Sequence, residues 1–301
     1  MALADGAQSL RIPRDGLIRP RLLAVDLDGT LLDVNGRPHA HDVRALKAAL
    51  ARGISVSIIT GRLYSGTRGV AELVGIRGAV GCADGSHIVD AGAHATLLHM
   101  GVRGAEAGLL RDIFARAEVT TFVFADDAIG HDPAGAPFVE YVRTWSKDLR
   151  PATDVFEHAL WGSADGVTGV IGLGPLDRIE GAVAKIASHL SSVAVVARFP
   201  IRRAAHAGVW AVIVRAAGGT KGTALRWIAE RERVRLEDTV CVGDWINDIS
   251  MFELAGRSFA MGQAPDEVKA KATDVLAETV GDGGGVAWAV KQAFGISADS
   301  P

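Results

Sequence analysis

Leu22-Leu23-Ala24-Val25-Asp26-Leu27-Asp28-Gly29-Thr30 decides how the rest of the chain is read. The apolar run at its start has the length and composition of a buried strand, and the Asp-Gly-Thr behind it supplies a turn. The segment therefore delivers two carboxylates, Asp26 and Asp28, to the carboxyl end of a strand. In an open α/β sheet that edge is where ligands bind. Two neighbouring acids can divide labour, one attacking as a nucleophile while the other cycles a proton. Alone, the pattern is also an ordinary strand and turn, so the weight falls on the segments downstream.

Three of these occur in order. Ile58-Ile59-Thr60-Gly61-Arg62 is a strand ending in a small hydroxyl residue, Lys221-Gly222 opens a predicted helix, and Val240-Cys241-Val242-Gly243-Asp244-Trp245-Ile246-Asn247-Asp248 is a strand feeding an acidic loop. Singly, such a threonine is usually a helix cap, such a lysine a solvated surface group, and such a loop a turn. Their order along one chain is harder to obtain by accident. Together the four segments resemble the haloacid dehalogenase superfamily of phosphohydrolases, and most closely its Cof-like, type IIB-capped sugar-phosphatase branch. The resemblance spans the chain from about residue 21 onward.

Composition is that of an ordinary globular protein. The chain has 301 residues, 49% hydrophobic and 22% charged, with a formal net charge of −3. Length allows one or two domains, and the charge gives no basic footprint for nucleic acid. Cys82 and Cys241, the two cysteines, lie in apolar runs and read as buried thiols, which fits a reducing cytoplasm. No apolar run approaches a membrane span, and residues 1–20 lack the order of a signal peptide and read as a flexible tail.

Strand and helix signals alternate from Arg21, predicting β-α-β units around a parallel sheet. The expected class is α/β: a Rossmann-like parallel core, residues 21–84 and 216–301, interrupted by a linker hairpin and an inserted α+β layer over 85–215. Within that insertion, Thr120 to Phe124, Val139 to Arg143, Val167 to Leu173, Val193 to Phe199 and Val209 to Val214 read as strands, and Leu176 to Leu190 as an amphipathic helix. The resemblance makes the insertion a cap over the active site.

The same resemblance implies chemistry. Asp26 is the expected nucleophile and Asp28 the general acid, helped by Thr60 and Lys221. Phosphate oxygens are expected at Thr60, Lys221, Arg62, Asn247 and the backbone around Gly29 and Gly61. A phosphate dianion repels a carboxylate, so Mg2+ is the expected cofactor, held by Asp26, Asp28 (through its carbonyl) and Asp244, with Asp248 completing the acidic set. The expected reaction is hydrolysis of a small phosphomonoester, a sugar phosphate by preference, through an aspartyl-phosphate. The alternatives are a phosphomutase or phosphotransferase sharing that intermediate, and a non-catalytic sensor of phosphorylated ligands. The expected partner is a small phosphorylated metabolite, with neither nucleic acid nor membrane, in a monomer or homodimer.

Other signals have plainer readings. Arg62 suits either a phosphate contact or a surface ion pair, and Trp245 either a pocket mouth or a buried helix start. His87, His94 and His99 lack metal-ligand spacing and read as surface residues. The Asp126-Asp127 and His131-Asp132 cluster reads as a solvated turn, and Arg202-Arg203 as a solvated face. Three places depart from the resembled pattern: Asp84-Gly85 where Asn-Gly is frequent, Gln263 where Asn is frequent, and the Gly-rich loop 281–285.

Overall fold

β1 (Leu22–Val25) is buried along its whole length, as a strand covered on both faces of a parallel sheet must be. The computed structural model describes residues 21–201 and 206–298, so the tail reading for residues 1–20 and the Arg202-Arg203 pair lie outside the described residues. After β1 come α1 (Ala40–Ala51), β2 (Ser55–Ile58), α2 (Tyr64–Val74) and β3 (Ala79–Cys82). Gly75 closes α2 in the left-handed region at φ 90°, the usual helix stop for a residue without Cβ. β4 (His87–Asp90) and β5 (Ala95–His99) then extend β3 as an antiparallel meander.

A second layer comes next, made of α3 (Gly104–Ala117), β6 (Thr120–Ala125), β7 (Ala128–His131), α4 (Val139–Val142), β8 (Leu149–Pro151), β9 (Gly169–Gly174), α5 (Leu176–Leu190), β10 (Ala194–Pro200) and β11 (Trp210–Ala216). Its six strands are ordered β10-β11-β9-β6-β7-β8. Alternation along β6 sends Val123 and Ala125 into a core beneath α3 and α5, while Phe122 and Phe124 face the other way. That opposite face shares its core with Leu63 and Ala83, which belong to the loops after β2 and β3. The inserted sheet therefore sits directly over those loops.

The chain then returns through α6 (Lys221–Glu232), β12 (Thr239–Gly243), α7 (Ile249–Phe252), β13 (Arg257–Ala260), α8 (Asp266–Lys269), β14 (Asp274–Val275) and α9 (Gly285–Phe294). The core sheet reads β14-β13-β12-β1-β2, all parallel, and an Ile59–Gly81 bridge joins β3 to its edge. One apolar cluster with α1 and α9 covers one face, and another with α6 and α7 covers the other. Successive strands spread one way from β1 through β2 and the opposite way from β12. The switch point between β1 and β12 opens a crevice at their carboxyl ends.

Two local expectations fail, and one turn gains an unexpected strand. Val139 to Arg143 is helical, not extended: Phe138, Tyr141, Val142 and Trp145 recur at helical spacing, and Pro133 and Pro137 set up the turn before them. The Asp126-Asp127 turn joins β6, expected as the strand Thr120 to Phe124, to an unforeseen hairpin partner, β7; both residues have positive φ (51° and 57°), the geometry of a two-residue hairpin turn. His87 is buried at 7% exposure, its Nε2 2.9 Å from Thr96 Oγ1 and its ring edge-on to His99. β4 lies between β3 and β5, and His87, Ile88 and Val89 are all buried there, so the polar ring goes inside with its apolar neighbours. Cys82 and Cys241 are free and buried, as expected. Among the described residues, no helix is long and apolar enough to cross a membrane.

Candidate active site

Asp26 is the first residue beyond β1, yet its amide still donates to Val242 O at 3.0 Å. That bond carries the sheet register one residue further and fixes where the carboxylate points. Only 4% of Asp26 is exposed. Lys221 enters from the first position of α6, anchored by a capping box in which Thr220 and Thr223 satisfy each other's backbone amides. Its Nζ donates to Asp26 Oδ1 at 2.5 Å and to Asp248 Oδ1 at 2.6 Å. Asp248 uses its other oxygen to accept from the amides of Asp244 and Trp245, both at 2.8 Å. Both Asp248 oxygens are thus spent on shaping the loop and holding the lysine.

Asp244, at the end of β12, completes the acidic group. Its carboxylate is touched only loosely, by Thr30 Oγ1 and Gln263 Nε2, each at 3.4 Å. Ligand atoms of Asp26, Asp244 and Asp248 all lie within 4.8 Å of one another. Gly29 makes room for this: its φ is +85°, and a Cβ there would stand 2.3 Å from Asp244 Oδ2.

The electrostatics arise from crowding. Burial first, opposed by Lys221 and reinforced by Asp248 and Asp244, holds the Asp26 carboxyl well above the usual carboxylate range. Burial, then the Asp248 charge, pushes Asp244 up to about 7. Burial works against the Lys221 charge, but Asp248, Asp26 and Asp84 more than reverse it and raise its affinity for its proton. One lysine does not neutralise three acids. An all-oxygen donor set short of positive charge fits a hard divalent cation such as Mg2+.

The phosphate-loop candidates lie beside this group. Thr60 is 1% exposed, and its hydroxyl accepts from the Arg62 amide at 3.2 Å. Gly61 turns its carbonyl toward Arg215 Nη2 at 3.2 Å. Arg62, largely buried, grips both oxygens of Asp28, with Nε 2.7 Å from Oδ2 and Nη2 on Oδ1. The Asp28 side chain is half exposed and faces a cavity of about 570 Å3 that Arg62, Asn35, Tyr141, Arg143 and Trp145 help to line. Its carboxylate stands outside the acidic trio, so only its carbonyl remains in question as a metal ligand. Asn247 Nδ2 donates to Asp84 Oδ1 at 2.8 Å. Trp245 is 39% exposed, which rules out the buried reading.

Sequence reasoning passed over several participants. Asp84 and Gln263 stood out only as departures from a pattern, and Arg215 not at all. The one available signal for Arg215 was a cation inside an otherwise apolar strand, because such a residue needs a buried partner.

The comparisons agree with this geometry. The haloacid dehalogenase-like hydrolase family matches residues 23–290. The chain belongs to that family. Curated relatives that match over most of this chain are named as phosphatases. The hydrolase is 27% identical over 272 residues to the pyridoxal phosphate phosphatase YbhA of Escherichia coli K12, covering 87% of this chain and 95% of the relative. It is likewise 27% identical over 286 residues to the 5-amino-6-(5-phospho-D-ribitylamino)uracil phosphatase YwtE of Bacillus subtilis 168, covering 90% and 97%. A subclass IIB sugar phosphatase, BT4131, superposes with a TM-score of 0.71 at 22% identity over 91% of this chain and 99% of that one.

Proposed function

We propose that the protein is a Mg2+-dependent phosphatase that hydrolyses a small phosphomonoester, a sugar phosphate by preference, through an aspartyl-phosphate on Asp26. The observation that carries this reading is the Lys221 ammonium held between Asp26 and Asp248, with Asp244 completing the acidic group at the sheet's switch point. Asp26 and Asp244, with the Asp28 carbonyl, are the groups that would hold the metal. When bound, Mg2+ would neutralise phosphate charge and lower the barrier for an anionic nucleophile.

The chain's own residues supply the rest. Lys221 takes one oxygen of Asp26 and leaves Oδ2 without a hydrogen bond among the described residues, available to face phosphorus. Lys221 is also the fixed positive charge beside the transferring group. The Thr60 hydroxyl and the amides near Gly29 and Gly61 cradle the equatorial oxygens. Asp28 faces the cavity, where the leaving oxygen would sit. Arg62 engages both Asp28 oxygens, so proton transfer requires an incoming phosphate to draw the guanidinium away. Asp28 then protonates the leaving oxygen and afterwards takes a proton from the water that splits the aspartyl-phosphate. The cap sheet over these loops excludes water from the first step.

Asp26→Asn tests the assignment. It should remove turnover of a phosphomonoester panel with Mg2+ while leaving the circular dichroism spectrum native. Substantial residual turnover by the folded variant would falsify the nucleophile.

A further inference from the structure

Next to the acidic trio, a second charged group, to which the reaction above gives no role, joins the loops that carry the site. Asp84 lies in a turn where Ala83, Asp84 and Gly85 all have positive φ, at 49°, 53° and 95°, a backbone that non-glycine residues seldom adopt. Its amide donates to Thr60 O at 2.9 Å, and its Oδ1 accepts from Asn247 Nδ2 at 2.8 Å. Arg215 reaches the same carboxylate from β11, the last strand of the cap, with its side chain 9% exposed. Its Nη1 lies 2.5 Å from Asp84 Oδ2 as an ion pair whose N–H is poorly aligned on the oxygen, and its Nη2 donates to Gly61 O. One acid and one guanidinium thus link the turn after β2, the loop after β12 and the end of the cap.

Donor and acceptor rules give this arrangement a consequence. A carboxylate only accepts, so Asn247 must turn its NH2 toward Asp84; the flipped amide would set two oxygens against each other. Asn247 Oδ1 is left buried without a partner, as a forced orientation implies. An asparagine at 84 could meet either edge of that amide. A half-buried carboxylate facing a buried guanidinium is steadied by that cation, and Lys221 is already committed to Asp26 and Asp248. Arg215 supplies it.

We infer that Asp84 and Arg215 form a matched pair of positioning residues for phosphoryl transfer. Asp84 fixes the Asn247 amide with one N–H free for a phosphate oxygen, and Arg215 fixes the Gly61 carbonyl, so that the Thr60–Arg62 turn keeps its register against the cap. The pair rests on the phosphatase reading above.

The test uses the full chain with Mg2+ and p-nitrophenyl phosphate, comparing Asp84→Asn, Arg215→Met and the double variant. Each single change should lower kcat/KM about 10–100-fold, with a raised KM and weaker inhibition by inorganic phosphate. The double variant, with no buried charge left unpaired, should lose less than the product of the two single losses. Folded single variants within about twofold of the parent in both measures, or a double variant with the full multiplied loss, would overturn the pair. If Arg215→Met does not fold, Arg215→Lys, which keeps the charge but not the two-pronged reach to Asp84 and the Gly61 carbonyl, is read by the single-variant criterion alone. If the parent protein turns over no phosphomonoester, the phosphatase reading falls, and calorimetric binding of inorganic phosphate decides the pair. Binding weakened by each single change supports it; unchanged or absent binding overturns it.

Discussion

Replacing Asp244 with asparagine should stabilise the metal-free protein while abolishing its response to magnesium. Burial and the Asp248 charge push the Asp244 carboxyl up to about 7 from an ordinary 3.8. An acid that holds its proton more tightly when folded weakens the fold as pH rises, because the unfolded chain ionises first. The penalty begins near pH 4, grows until about pH 7 and is constant above it. A gap of about three pH units, at about 1.36 kcal/mol each, makes it about 4 kcal/mol. Asparagine cannot ionise. It forfeits one of two long hydrogen bonds, from Thr30 or Gln263 at 3.4 Å, which costs about 1 kcal/mol. The net gain at pH 8 is then about 3 kcal/mol, a rise in Tm of about 6–12 °C. Near pH 4.5 it should shrink almost to nothing. Thermal melts in EDTA at both pH values, repeated with Mg2+, read the effect. The parent should climb when the metal is added and the variant should not. A variant that melts below the parent in EDTA at pH 8, or a gap that ignores pH, would refute this electrostatic account.

Three other perturbations have definite outcomes. Lys221→Met removes the cation held by two buried carboxylates and should cost about 3–5 kcal/mol in EDTA, with Mg2+ restoring part of it; unchanged urea midpoints would contradict the pairing. Gly29→Ala places a Cβ 2.3 Å from Asp244 Oδ2, so the magnesium-dependent rise in Tm should vanish from a protein of native helicity, and a full response would show that the loop yields. Burial, aided by His99, pulls His87 down to about 4. A base that binds its proton less well when folded loses stability as pH falls from about 6.5 to 4, here by about 3 kcal/mol. His87→Gln should flatten that acid limb of the pH–stability curve; the same slope in both proteins would clear His87 of responsibility.

The parallel core was legible because each of its strand ends carries two signals at once. An apolar run such as Leu22 to Val25 marks the buried strand, and the Asp, Thr or Gly-Asp after it marks the edge. The core strands β1, β2 and β12, which bear the site, were found this way. In the inserted layer the signals conflict. Val139 to Val142 has the composition of a strand, and its helical spacing shows only once Phe138 and Trp145 are included. β8 has three residues, one of them Pro151, too few for any periodicity. Within the site, Lys221 and Asp248 sit in motifs that local sequence displays. Asp84 and Arg215 do not, because their meaning lies in the contacts Arg215 makes with Gly61, 154 positions away, and with a turn in left-handed backbone. A pair of that kind has no local pattern; it exists only after the cap strand has been laid over the core.

The insertion also sets a schedule for synthesis. Lys221 lies 195 positions beyond Asp26, and β12, which flanks β1, is translated later still. At about 5–20 residues per second, a ribosome needs roughly 10–40 seconds to bridge that interval. Meanwhile β1 has one open hydrogen-bonding edge, and Asp26 lacks its ammonium partner. The inserted sheet, whose strands pair among themselves, is complete first. A nascent or truncated chain ending before α6 therefore exposes a naked strand to proteases and chaperones, and the acidic group with its lysine assembles in a single step with the last third of the polypeptide.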